Sequence, residues 1–420
     1  MSPKEALQQK LGYSFRNIVA DSRLVGPGDL FIALSGERVD GHEFLEEAYA
    51  KGCSCALIAR PTSVNIPHII VPDPLAYIQN VVTEYVLRYR PRVIAITGSL
   101  GKTTTKEFLH QMMATTYHVA ASPGNANSQI GLPLAILNHF SGKEEFWIVE
   151  AGMSFAGELT RLAHMVQPEI VLITQISLVH AENFDGLEGI ARSKAELFSH
   201  PSTSLCMINS HSSCLNILQN VGNCTKVLVD EHEVIERYPN ALPGKHLYQN
   251  LAMAVEAARY LNVSVEKIDE IVPHLRLEAH RMQFIEKEGV FILNDSYNAS
   301  ELSTIGALDS IPHDVKGEKI VLFGQITELG KFSDETHANI AKHALKCADK
   351  MICYGSACAP IFDLWSSAKK PVFWTNDRIE LLKHVNETVV PGDFLLLKGS
   401  CSNALWELIP KIQIEGASNR

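Results

Sequence analysis

The sequence lacks a CxxC pair, a long apolar run and an excess of basic charge, and each absence removes a class of protein. Its nine cysteines are an odd number, scattered along the chain. Cys53 and Cys55 stand too close for an ordinary bridge, and no cysteine spacing resembles a zinc motif. Reduced, structural thiols are the expectation, without a zinc site. Lysine and arginine number 37 against 47 aspartates and glutamates, a formal net charge of -10. A general grip on nucleic acid needs a basic stripe, and none is visible. No stretch is apolar for long enough to span a bilayer, and Met1-Ser2-Pro3-Lys4-Glu5 offers no apolar signal region. The expectation is a cytoplasmic protein without membrane insertion. Low-complexity runs and repeats of solenoid length are absent as well.

What is present is globular. Of 420 residues, 46% are hydrophobic and 20% charged, which suits roughly two to four domains with buried cores. Residues 1–90 read as a first unit, closing at the linker-like Tyr89-Arg90-Pro91-Arg92. Residues 91–276 read as a second. Its apolar, β-branched runs begin with Val93-Ile94-Ala95-Ile96-Thr97 and continue at Phe146-Trp147-Ile148-Val149, Ile170-Val171-Leu172-Ile173 and Leu205-Cys206-Met207-Ile208. Helical patterns lie between, over 190–198 and 250–261. Such alternation predicts an α/β unit with a mostly parallel sheet. Residues 277–420 repeat the pattern, with strands predicted at 290–293, 319–323, 351–354 and 394–397 and helices at 334–348 and 378–385. This third unit reads as a smaller doubly wound, Rossmann-like domain.

The strongest local signal is Thr97-Gly98-Ser99-Leu100-Gly101-Lys102-Thr103-Thr104-Thr105, between a strand and a helix predicted over 106–116. Glycines let backbone wrap an anion, and a helix N-terminus adds free N–H groups and a favourable dipole. In that context Lys102 can reach terminal phosphates and the Thr103 hydroxyl can ligate Mg²⁺. The loop alone specifies nucleotide hydrolysis or transfer, not which. Glu150 ends a predicted strand, His180 follows another, and Lys194 lies on the next helix. Strand C-termini of an open α/β sheet gather at one edge, so Glu150 and His180 can converge on the nucleotide's metal. From spacing alone, a histidine placed like His180 is more often structural and a lysine placed like Lys194 is more often a solvated helix lysine.

Taken in order along the chain, these segments resemble the Mur ligase family. The resemblance runs through Asp21-Ser22-Arg23, Pro27 to Leu34, Asp40-Gly41-His42, the phosphate loop and Gly124-Asn125-Ala126-Asn127. It continues through Glu150-Ala151-Gly152-Met153, His180-Ala181-Glu182, Lys194-Ala195-Glu196, Pro243-Gly244-Lys245-His246 and Asn250. It closes with Arg281-Met282-Gln283, Asp295-Ser296-Tyr297-Asn298, Glu328-Leu329-Gly330 and Lys398-Gly399-Ser400. The match is best to the member that adds D-Ala-D-Ala. The resemblance implies three α/β domains: an N-terminal one for a UDP-linked precursor, a central P-loop ATPase-like one, and a C-terminal Rossmann-like one for the incoming amine. It implies ATP, UDP-MurNAc-tripeptide and D-Ala-D-Ala as substrates, two Mg²⁺ ions, ligation through an acyl phosphate, and a monomer whose partners are these small molecules. It places Ser22, Arg23, Asn125 and Asn127 at the precursor. It places Gly98, Ser99, Leu100, Gly101, Lys102, Thr103, Thr104, Asn250, Arg281, Asp295 and Asn298 at ATP. Thr103, Glu150, His180 and Lys194 would hold metal, with Lys194 as a carbamate formed from CO2, and Lys102, His180 and Lys194 would be catalytic.

The family pattern is interrupted at Asn294, Leu247, Ser300-Glu301, Gln325 and Cys401. These interruptions spare the phosphate loop, Glu150, His180 and Lys194. Two alternatives follow: a sister ligase adding another amino acid, or a non-catalytic relative that only binds precursor.

Overall fold

A computed structural model describes residues 1–36, 39–179 and 181–414. Three sheets follow one another along the chain. The first is parallel, with β1 (Ile18–Val19), β2 (Leu30–Ile32), β3 (Cys55–Ile58) and β4 (His68–Ile70) in sequential order. It is joined to the next unit by more than chain continuity. The helix Pro74–Tyr89 starts at Asp73, whose carboxylate caps the N–H groups of Leu75 and Ala76. Its Tyr85 ring stacks on Trp147 of the central sheet at 5.8 Å, and both belong to one buried core. The Asn138 side chain hydrogen-bonds the backbone of Ile18 in both directions, at 2.9 Å each.

The central sheet contains β5 (Arg92–Thr97), β6 (Val119–Ala121), β7 (Phe146–Glu150), β8 (Ile170–Ile173), β9 (Leu205–Asn209) and β10 (Thr225–Val229). All six are parallel, in the order β10-β9-β8-β5-β7-β6. Burial on both faces explains why β7, β8 and β9 are continuous apolar runs. The chain leaves β5 toward one edge and, after β8, travels to the other. The point of divergence lies between β5 and β8, where open α/β sheets form a crevice beyond the strand C-termini.

The third sheet contains β11 (Gln283–Lys287), β12 (Val290–Asp295), β13 (Lys319–Gly324), β14 (Lys350–Tyr354), β15 (Val372–Thr375) and β16 (Phe394–Lys398), in the order β11-β12-β16-β13-β14-β15. It is mixed rather than wholly parallel, because β11 pairs antiparallel with β12. The turn between them carries Glu288 and Gly289, both at positive φ. β16 lies between β12 and β13, with Lys398 in register beside Asp295. The C-terminal edge of this sheet therefore presents that pair toward the central unit. Among the described residues, no helix is long and apolar enough to cross a membrane.

Candidate active site

The phosphate loop is shaped by close packing. Gly98 has φ +150° and Gly101 φ +81°. A Cβ on Gly98 would lie 1.8 Å from Thr174 Oγ1, and one on Gly101 would lie 2.0 Å from Asn250 Oδ1. Only glycine fits either position. The neighbouring strand exit, after β8, holds the loop in place. Ser99 N–H donates to Gln175 O at 2.7 Å, and Thr174 Oγ1 donates to Leu100 O at 2.5 Å. The helix begins at Lys102, four residues before the start that the sequence periodicity predicts, and ends at Met113, three before the predicted end. Periodicity finds the apolar face, which starts at Phe108, rather than the polar first turn. Among the described residues no side chain caps this terminus, so its first N–H groups face the cavity.

Glu150, at the end of β7, is buried and fully engaged. Its carboxylate accepts from Thr103 Oγ1 at 2.7 Å and from Asn127 Nδ2 at 2.6 Å. Its N–H donates to Ser122 Oγ at 3.0 Å. Lys194 is also buried, 4% exposed. Desolvation, and then the Lys102 charge, push its ammonium well below the ordinary lysine range, while Glu150 opposes them. Desolvation likewise lowers Lys102, with Glu150 raising it and Arg281 lowering it further. Lys102 Nζ meanwhile donates to Gly98 O at 2.9 Å. Three basic side chains thus surround one carboxylate, a balance that suits a polyphosphate.

The third unit closes the opposite side. Arg281 Nη2 donates to Thr103 Oγ1 at 2.9 Å, and the guanidinium lies over Tyr297, 4.1 Å from the ring centroid. Lys398 Nζ donates to Asp295 Oδ2 at 2.5 Å and to Asn298 O at 2.8 Å. Burial lowers the Lys398 ammonium and the Asp295 charge holds it up. Asp295 Oδ1 also accepts the Met282 N–H, tying β12 to the segment carrying Arg281.

These elements line one cavity of about 630 Å³. It gathers Gly98 to Thr104, Asn125, Asn127, Glu150, Lys194, Asn250, Arg281, Asp295 and Asn298. Three buried polar atoms on it, Gln175 Oε1, His246 Nδ1 and Arg281 Nε, have no partner among the described residues. Unpartnered buried atoms in a large cavity are what a polar ligand would satisfy. Ser22 and Arg23 are not part of this lining. Ser22 Oγ donates to Glu47, and Arg23 is an exposed partner of Asp21. His180 lies outside the described residues.

Two contributors were not assigned from sequence. Lys398 stands in the sequence only as part of a motif, because β16 reads as a plain apolar strand until its register with Asp295 is known. Tyr297 was likewise a motif letter rather than a shelf for Arg281. Three of the interruptions of the family pattern are internally satisfied. Asn294 pairs with His280 and accepts from Ser296 Oγ, Gln325 Oε1 accepts the Ala357 N–H, and Leu247 is buried.

Fold and site together define a class: a multi-domain phosphate-loop enzyme whose nucleotide cleft lies between two α/β sheets. Family models described as "Mur ligase family, catalytic domain", "Mur ligase middle domain" and "Mur ligase, glutamate ligase domain" match residues 14–117, 96–230 and 280–401. The UDP-N-acetylmuramoyl-tripeptide--D-alanyl-D-alanine ligase of Bacillus subtilis is 31% identical over 93% of this chain and 92% of its own length. The enzyme of the same name from Escherichia coli is 26% identical over 95% and 94%. Among solved structures, MurF from Acinetobacter baumannii has a TM-score of 0.81 at 24% identity, covering 97% of this chain and 98% of that one. The chain belongs to the Mur ligase family.

Proposed function

We propose that this chain is the ligase that joins D-Ala-D-Ala to UDP-MurNAc-tripeptide at the expense of ATP, in the synthesis of peptidoglycan precursors. What carries the reading is the meeting of the phosphate loop, Glu150, Lys194 and the Arg281–Asp295–Lys398 group around one cavity, in a chain that aligns over 93% and 95% of its length with two ligases of that name.

ATP lies with its phosphates against the free N–H groups of the Lys102–Met113 helix, with Lys102 swinging from Gly98 O to the terminal phosphates. Asn250 and His246 border its base side, and Arg281 and Asn298 close over it. The precursor's sugar nucleotide extends to the first unit, toward Ser22 and Arg23, and its peptide passes Asn125 and Asn127. The peptide carboxylate takes the γ-phosphoryl group of ATP to give an acyl phosphate and ADP. The D-Ala-D-Ala amine then attacks that carbonyl, phosphate leaves, and the amine's proton goes to solvent. Carboxylate and triphosphate repel, and Lys102, Arg281 and the loop N–H groups offset that repulsion. The site also fits Mg²⁺: the Thr103 hydroxyl and Glu150 carboxylate meet within hydrogen-bond distance, and both are hard oxygen donors. His180 and Lys194, the latter as a carbamate, complete the proposed metal set. A carbamate forms only on a neutral amine, and the surroundings of Lys194 favour that form. Bound there, Mg²⁺ supplies charge neutralisation at the phosphates. In this reading the protein acts as a monomer.

The test is to incubate the chain with Mg²⁺, ATP, UDP-MurNAc-tripeptide and D-Ala-D-Ala, and to follow phosphate and product mass. Phosphate matching a product heavier by one D-Ala-D-Ala residue supports the assignment. Precursor binding without phosphate from any amine would transfer the reading to a non-catalytic relative.

A further inference from the structure

Two helices of the third unit meet at a second cluster of polar groups. His343 and Cys347 lie one turn apart on the helix Ser333–Cys347, so both side chains emerge from one face. Asp309 ends the adjacent helix Glu301–Leu308 as its C-cap. An imidazole nitrogen, the thiol sulfur and a carboxylate oxygen lie within 4.8 Å of one another. His343 Nε2 and Asp309 Oδ1 are already 2.7 Å apart. Asp309 is exposed and the other two are half-buried, so an ion has access.

We propose that Asp309, His343 and Cys347 bind a divalent transition metal of the Zn²⁺ class, which clamps the two helices beside the cleft. The donor set selects the metal. Nitrogen, sulfur and one carboxylate oxygen suit Zn²⁺, whereas Mg²⁺ takes oxygen ligands and does not compete for a thiolate. Bond lengths of about 2.0–2.3 Å in a tetrahedron place donor atoms roughly 3.5 Å apart. The His343–Asp309 contact therefore opens slightly and the Cys347 sulfur moves inward, both by side-chain rotation. The thiol gives its proton to water as the metal–sulfur bond forms, and water takes the fourth position. An ordinary surface ion pair accounts for Asp309 and His343, and Cys347 packs at the edge of the third unit's buried core, which sets its sulfur within reach of the same point. No linear motif announces the site, because the helix spacing supplies two ligands and the third comes from 34 residues away. Asp309 also lines the nucleotide cavity, so the clamp restrains the wall of the cleft that follows Asn298.

The full chain, reduced and stripped of metal, is titrated with Co²⁺ in excess Mg²⁺. The expected result is one equivalent bound, with a thiolate-to-cobalt charge-transfer band and the visible bands of four-coordinate Co²⁺, both removed by added Zn²⁺. Cys347→Ser loses the charge-transfer band, and His343→Ala and Asp309→Asn each weaken binding on the order of tenfold or more. The control Cys401→Ser, at the exposed thiol, retains the full signal. Zn²⁺ raises the melting temperature of the parent chain and not that of Cys347→Ser, with the metal-free melting of each variant verifying its fold. A parent chain without the thiolate band, or a band that survives in Cys347→Ser, overturns the proposal.

Discussion

Burial and the adjacent Lys102 charge both drive Lys194 toward the neutral amine, the form that reacts with CO2. Because the depressed value delays protonation to lower pH, the amine stays neutral through a window below the ordinary lysine range. Carbamate and ligation are expected within that window and lost on its acid side. Ligation should also fall in CO2-depleted buffer and return with bicarbonate, and a profile indifferent to CO2 would remove the carbamate. Lys194→Ala should reduce turnover by about a hundredfold or more, the scale of losing a preorganised charge at a reacting centre, with unchanged circular dichroism. Full activity in that variant would end the assignment. Lys102→Ala should leave precursor affinity nearly intact while stopping phosphate release. Loss of precursor affinity alone would mean that the phosphates lie elsewhere. Gly101→Ala combines a left-handed backbone with a collision at Asn250. It should cost about 1–3 kcal/mol in urea unfolding, the range for strained backbone positions, and weaken nucleotide binding as well.

At the scale of elements, β12 and β16 bring Asp295 and Lys398 side by side at the end of a parallel pair. Both are at least nine-tenths buried, so removing one partner strands the other. Lys398→Met should destabilise the third unit by about 3–5 kcal/mol, measured by denaturant unfolding. Replacing both with apolar residues should recover much of that stability without recovering ligation. A single variant of parental stability would show that water reaches the pair. Legibility in the sequence followed burial. Strands buried on both faces, such as β5, β7, β8, β13 and β16, are continuous apolar runs and stand within a residue or two of their predicted ends. β6, β10 and β15 are half-buried edge strands with weaker patterns. β11 has no buried residue, and only its antiparallel partner defines it. The site divided in the same way. Loop glycines and Lys102 were legible because local backbone chemistry demands them. The pairing of Lys398 with Asp295, and the Tyr297 shelf, depend on sheet order, which no local pattern contains.

For the whole molecule, the cleft belongs to two units, and a hydrogen bond from Arg281 to Thr103 spans it. Arg281→Ala should raise the KM for ATP about tenfold or more, the scale of a charged hydrogen bond, while precursor binding stays the same. An unchanged KM would put the nucleotide outside the reach of the third unit. The Thr103 hydroxyl has a further consequence. It donates a hydrogen bond to Glu150 and accepts one from Arg281, so groups that a metal–nucleotide complex needs are already paired with one another. Binding is therefore a barter of partners. Each bond formed to the guest releases one that held the host together, so much of the heat of binding cancels. The favourable remainder comes from expelled water and from charges that the guest neutralises, and binding should weaken as salt is added.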